Sequence, residues 1–143
     1  MSEKIRIKYL REINKIEKIT KGDWIDLRAA VTRPLRAGDY AMIPLGVAMQ
    51  LPDGYEAIIA PRSSMFRKYG TLIANSIGVV DESYCGDNDE WQCLVYATRD
   101  TIIPKGERIC QFRIIEHQPD IEFEEVESLN NEDRGGIGST GRV

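Results

Sequence analysis

Short runs of β-branched and aromatic residues, cut at close intervals by turns rich in glycine and proline, constrain this chain toward a β fold. Lys4–Tyr9, Tyr40–Met49, Tyr55–Pro61, Leu94–Thr98, Arg108–Ile115 and Ile121–Glu127 have strand composition, some with apolar and polar residues in alternation. Between them stand Arg36-Ala-Gly-Asp39, Pro52-Asp-Gly54, Gly86-Asp-Asn-Asp89 and Pro104-Lys-Gly106, whose residues favour the sharp backbone reversals of turns. This spacing predicts a mainly β protein, either a sandwich or a closed barrel. One short helix is expected over Ser64–Tyr69, entered through a serine and ended by Gly70. Leu10, Ile13, Ile16 and Ile19 recur every third residue, a helical hint in a stretch too brief to decide.

The 143 residues, 42% apolar and 29% charged, suit one soluble domain with a real core. No apolar run reaches the length of a membrane span, and the charge-alternating start lacks a signal-peptide core, so a cytoplasmic address is expected. Cys85, Cys93 and Cys110 are too widely spaced for a metal knuckle with the single His117, and read as free thiols. A net charge of −4 argues against sequence-independent binding of polynucleotide, although basic residues can still converge on one small anion. After Leu129 the sequence turns polar and glycine-rich, which predicts a β domain over 1–129 and a C-terminal arm over 130–143.

Five segments hold the residues with most chemistry. In Gly22–Leu27 the carboxylate of Asp26 lies in a short apolar run; alone it is an ordinary turn aspartate, but a hard cation such as Mg²⁺ also takes such oxygens, directly or through water. Ala60–Met65 places Arg62, Ser63 and Ser64 where a strand gives way to a helix, as either an anion site or a simple cap. Ala74–Gly86 reads as a β-hairpin that could offer backbone donors and acceptors to a flat base, with Asp81 a candidate general base and Tyr84 a flat surface for a sugar. Lys105–Phe112 carries Arg108 and Gln111, an odd number apart, so a regular strand sends them to opposite faces unless a bulge intervenes. Arg134–Gly141 is rich in backbone N–H and hydroxyl donors suited to phosphate.

Taken in order, these segments resemble the five motifs of the trimeric dUTPase family. The closest correspondences are Pro61-Arg-Ser63, Asn75 with Gly78, Asp81 and Tyr84, Gly106 with Arg108 and Gln111, and Gly138-Ser-Thr-Gly141. The resemblance implies a jelly-roll or distorted β-barrel subunit in a homotrimer, with sites at subunit boundaries and the arm of one copy closing the site of another. It implies hydrolysis of dUTP to dUMP and pyrophosphate with Mg²⁺. Asn75 and Gly78 would then read uracil, Tyr84 would exclude a 2′-hydroxyl, and Asp81 would align the water that attacks the α-phosphorus. Arg62, Ser63, Gln111, Ser139 and Thr140 would hold phosphates, and Asp26 would act on Mg²⁺ through bound water.

The chain departs from the family pattern in places. Ser64 stands where the family usually has glycine, and Arg-Ser-Ser also occurs in the related dCTP deaminases; those enzymes carry a catalytic glutamate in the strand after the hairpin, and Gln92–Thr98 contains no acid. A third alternative is a phage-type regulatory protein that binds a repressor. The turn between Gly86 and Trp91 is longer than the family pattern. In the last motif the position of the aromatic that caps uracil is Ile137, with Arg134 only three residues before it. Trp91 is the candidate substitute lid, and equally a core or interface tryptophan.

Overall fold

The computed structural model describes residues 2–136. Eleven strands and one helix follow in the order β1 (Arg6–Tyr9), β2 (Ile25–Arg28), β3 (Arg33–Leu35), β4 (Tyr40–Pro44), β5 (Val47–Gln50), β6 (Tyr55–Pro61), α1 (Met65–Tyr69), β7 (Thr71–Ile73), β8 (Gly78–Val80), β9 (Gln92–Ala97), β10 (Thr101–Ile103) and β11 (Arg108–Glu116). The pairing is antiparallel throughout: a four-stranded sheet β2-β11-β6-β8, a three-stranded sheet β4-β9-β7, and the ribbons β1-β5 and β10-β3. The fold is mainly β, as the turn spacing predicts, and is consistent with a jelly roll. It is not a closed barrel, because β2 and β8 remain edges of the larger sheet among the described residues.

Alternation explains how the core is filled. In β9, Cys93, Val95 and Ala97 point inward while the residues between them are more exposed. They meet Ile43 of β4, Ile59 of β6 and Phe112 of β11 in one continuous apolar cluster. Cys93 and Cys110 are buried free thiols in this core, and Cys85 is an exposed one. Burial pushes the Cys110 thiol well above its ordinary pKa.

Several expectations are corrected. Tyr40–Met49 is two strands, split at Leu45 and Gly46. Gly46 adopts φ +79°, and a Cβ there would lie 2.9 Å from Cδ1 of Ile13. The segment that carries Ile13 is therefore pinned against the core, where Ile13 and Ile16 pack, and it forms no helix. Ile121–Glu127 forms no strand: residues 116–136 are exposed throughout, and β11 ends at Glu116 as the last strand among the described residues. The helix comes where expected, but Ser64 makes no side-chain cap bond, and the Met65 N–H is already given to the Arg62 carbonyl at 3.0 Å.

Trp91 is a core residue and not a lid. Its ring is 1% exposed and packs edge to face on Phe112 at 5.1 Å. Its indole N–H has no hydrogen-bond partner among the described residues, a cost of about 1–3 kcal/mol. Burying an aromatic surface of this size returns about 4–6 kcal/mol, so the core position wins.

Candidate active site

Strand β6 has a group of functional side chains at each of its ends. At its C-terminal end, β2, β11 and β6 lie side by side, with Asp26 opposite Gln111 and Gln111 opposite Ala60. Arg62 follows β6 directly, and its Nε lies 3.0 Å from Oδ1 of Asp26. Arg108 reaches the other oxygen, Nη1 to Oδ2 at 3.4 Å, and Gln111 donates to the Pro61 carbonyl at 3.0 Å. Two guanidinium groups on one carboxylate leave one net positive charge, and both arginines are partly exposed. Such a cluster suits an anion with several oxygens, for which guanidinium is the matching donor. Ser63 is exposed next to Arg62, and both line a cleft of about 430 Å³.

The bulge that the odd spacing of Arg108 and Gln111 required is present. The register of β11 against β2 shifts between Arg108 and Cys110, so that Ile109 and Cys110 are both buried and the alternation restarts. This places Arg108 and Gln111 on the same side as Asp26. The turn before it is held by one side-chain bond and one backbone bond: the Arg28 guanidinium donates to the Gly106 carbonyl at 2.7 Å, and the Gly106 N–H to the Ala29 carbonyl at 2.8 Å. Gly106 has φ +92°, which only glycine adopts readily.

A second cleft, of about 390 Å³, runs along β8, from Asn75 and Gly78 at the level of Ile59 to Asp81 beyond Val80, towards the N-terminal end of β6, and is lined also by Tyr84 and Glu90, with Trp91 in its wall. Residues 74–86 are not a paired hairpin, since β7 belongs to one sheet and β8 to another. Instead Ala74–Ile77 turns between sheets, with Ser76 at φ +66°, and β8 becomes an edge strand. Gly78 pairs with Ile59, and a Cβ on Gly78 would come 3.2 Å from that of Ile59, so a larger residue would crowd the pair. The unpaired edge of β8 presents backbone polar groups to the cleft, as a base-reading surface requires.

Asp81 begins the next turn. Its Oδ2 accepts the Ser83 N–H at 2.9 Å and the Ser83 hydroxyl. The Ser83 hydroxyl and then its N–H hold the Asp81 carboxyl below its ordinary pKa, helped by His117 and opposed by slight burial. Asp81 is thus ionised at neutral pH. His117 touches the neighbouring Glu82, Nε2 to Oε1 at 3.2 Å, and its backbone N–H is donated to Gly54, so the start of the C-terminal segment is tied to this turn. Tyr84 is half exposed and its hydroxyl donates to the Glu90 carbonyl at 2.9 Å. Ser83, Glu82, Glu90 and His117 are partners that sequence reasoning missed; the Asp-x-Ser spacing at residues 81 and 83, an Asx-turn pattern, was the one available signal.

Asp81 and the arginine cluster do not meet within one chain, although the two clefts adjoin at Asn75 and Ser76. Val80 pairs with Ala57, which puts Asp81 level with Glu56, six residues from Arg62 along β6; at a strand's rise that is about 20 Å. Arg134 is exposed and near neither cleft's lining, while Ile137, Gly138, Ser139 and Thr140 lie outside the described residues. As for a metal, no cluster of three or more acidic, histidine or cysteine side chains exists among the described residues. Asp26, already held by two cations, cannot retain a divalent ion alone. It suits an ion that arrives on phosphate oxygens and keeps water ligands, as Mg²⁺ commonly does.

The dUTPase family model matches residues 15–141. The SPbeta prophage-derived deoxyuridine 5′-triphosphate nucleotidohydrolase of Bacillus subtilis (strain 168) is 54% identical over 138 residues, 96% of this chain and 97% of that protein. The fold is similar to that of a mutant phage 80alpha dUTPase, with a TM-score of 0.81 at 22% identity over 98% of this chain and 100% of the other. It is also similar to a mutant dUTPase from phage phi11 of S. aureus, with a TM-score of 0.76 at 19% identity over 88% and 98%, a structure described for its coordination of a structural Mg(II) ion. At such identities these two structures speak for the fold alone. With the family model covering most of its length and a relative more than half identical almost end to end, this chain belongs to the dUTPase family.

Proposed function

We propose that this protein hydrolyses dUTP to dUMP and pyrophosphate, in sites assembled between copies of the chain. The observation that carries this reading is the division along β6: an ionised carboxylate beside a base-sized cleft at one end, and an arginine cluster about 20 Å away at the other. A triphosphate bridges them only if they come from different copies. The outer face of β4-β9-β7 supports such assembly, since Tyr40, Met42, Leu72 and Tyr96 are 43–57% exposed on one side of the sheet. Met42 belongs to the wall of the cleft that holds Asp81, and Leu72 to the wall of the cleft that holds Arg62. Exposed apolar surface between two half-sites is what a partner copy would cover. Phe123 and Leu129, 94% and 77% exposed on the way to the arm, need a foreign surface too. A homotrimer, the assembly implied by the family, with the 130–143 arm of one copy closing the site of another, accounts for both.

In this reading the edge of β8 and Asn75 bind uracil, and Tyr84 packs on deoxyribose. Asp81 accepts a proton from water as the water oxygen bonds to the α-phosphorus; the bond from that phosphorus to the bridging oxygen breaks, and pyrophosphate leaves. Arg62, Arg108, Ser63 and Gln111 hold phosphate oxygens, together with Ser139 and Thr140 of the arm. Asp26 would meet, through water, Mg²⁺ brought by the triphosphate, and the ion would supply charge neutralisation when bound. Positioning and charge account for most of such catalysis. The test is pyrophosphate release from dUTP by the purified protein, with dCTP, dTTP and UTP as controls: turnover of dUTP well above the other three is expected, and deamination of dCTP or no turnover would overturn the reading.

The pH profile provides a second prediction. A carboxylate whose folded pKa is depressed stays charged above that value, and its charge is lost only as pH falls through it. The acid limb of kcat/KM, which reports the base in the free enzyme, should therefore lie below the ordinary carboxylate range. Ser83→Ala removes the hydroxyl, the largest cause of the depression, and should move that limb to higher pH while the neutral plateau persists. An unmoved limb would mean that another group sets it.

A further inference from the structure

The turn between Gly86 and Trp91 connects directly to the sugar-facing tyrosine. The Tyr84 hydroxyl donates to the backbone carbonyl of Glu90 at 2.9 Å. The Glu90 carboxylate is only 14% exposed and is held from two sides. Arg11 grips it in bidentate fashion, Nε to Oε2 at 2.8 Å and Nη2 to Oε1 at 3.2 Å, and the Gly46 N–H donates to Oε2 at 3.0 Å. Gly46 in turn accepts the Leu10 N–H at 2.8 Å, one residue before Arg11. The next residue, Trp91, is bonded through its backbone to Leu45 and Val47. Within the turn, Asp89 closes the loop by accepting the Gly86 N–H at 2.8 Å. Glu90 also belongs to the lining of the cleft that holds Asp81 and Tyr84.

A half-exposed ring excludes a hydroxyl group only as well as it resists moving aside, because steric discrimination is limited by the stiffness of the wall. Tyr84 stands on a turn and has no helix or strand to hold it. We propose that Glu90 is a positioning residue for sugar selection, its carbonyl holding the Tyr84 hydroxyl and its carboxylate fixing that carbonyl to Arg11 and Gly46. The N-terminal segment thereby takes part in choosing deoxyribose over ribose without touching either. The proposal rests on the reading that Tyr84 packs against the sugar.

The ratio of kcat/KM for dUTP to that for UTP tests it, measured in the full chain for the wild type, Tyr84→Ala, Tyr84→Phe and Arg11→Ala. A loss of folded enzyme lowers both rates together and leaves the ratio unchanged, so a merely structural role is silent in this readout. Tyr84→Ala should lower the ratio by on the order of 100-fold. Tyr84→Phe, which keeps the ring but loses the donor, and Arg11→Ala, which frees the Glu90 carboxylate, should each lower it by about 2- to 10-fold. If Tyr84→Ala lowers the ratio and either of the other two keeps the wild-type value, the tether through Glu90 is overturned while the sugar-facing role of Tyr84 stands. If Tyr84→Ala itself leaves the ratio unchanged, both fall.

Discussion

Replacing Asp81 by asparagine is expected to lower kcat for dUTP by on the order of 10³-fold, with the affinity for a non-hydrolysable analogue held within about twofold. The two effects separate because of how the residue is held. The amide oxygen of an asparagine can still accept the Ser83 N–H and hydroxyl, which fix Oδ2 in the native turn, so the cleft keeps its shape. The atom left facing the water becomes an amide nitrogen, which cannot take a proton. Asp81 is open to solvent and its carboxyl sits below the ordinary pKa, which makes it a weak base in the ground state. Its contribution must therefore come through alignment of the water and charge in the transition state; the proton is not taken before the water attacks. Steady-state kinetics and calorimetric titration of the same preparation check both halves. A near wild-type kcat would place the base elsewhere; loss of analogue binding would show that Asp81 serves the cleft and not the water.

The legible parts of this fold are the long ones. β6, β9 and β11 run for six to nine residues, enough for composition and alternation to mark them. β3, β7, β8 and β10 have three residues each, fewer than two full periods of alternation, and so their signal vanishes into the turns around them. Ile121–Glu127 has the composition of a strand but joins no sheet edge among the described residues, and composition does not say who the neighbour is. The bulge in β11 could have been read from Gly106 followed by the adjacent apolar pair Ile109 and Cys110, which breaks alternation at the required place. Asp26 and Arg62 had their residue types as the only clue, because their ion pair is a non-local contact between strands separated by β11. Trp91 shows the limit of proximity in sequence: it follows the cleft residues closely, yet Phe112 and the core claim its ring. Glu90, just before it, is the residue that reaches the cleft's tyrosine, and it does so through a main-chain carbonyl, which no side-chain pattern records.

Mixing two inactive variants is expected to restore activity if the site is shared between copies. Arg62→Ala removes one of the two guanidinium groups on Asp26 and should cost on the order of 10²-fold in kcat/KM by loss of the proposed phosphate contact; Asp81→Asn removes the proposed base. In the proposed shared-site assembly, each homo-oligomer is then inactive at all of its sites. When the two chains are unfolded together and refolded at equal amounts, each site draws its Arg62 from one copy and its Asp81 from another. The chance that both are intact is one half times one half, so about a quarter of wild-type activity should return in a ring of identical head-to-tail contacts. A chain carrying both substitutions, refolded with either single variant, should recover none, which excludes a trivial effect of refolding. Native mass spectrometry of chains with different masses reports whether exchange took place. Recovery near a quarter requires Arg62 and Asp81 to act from different copies, as their separation along β6 demands. Complete exchange without recovery would mean that one copy supplies both residues, and the chain would then have to bring the ends of β6 together by a rearrangement that its continuous pairing with β11 from Tyr55 to Pro61 opposes.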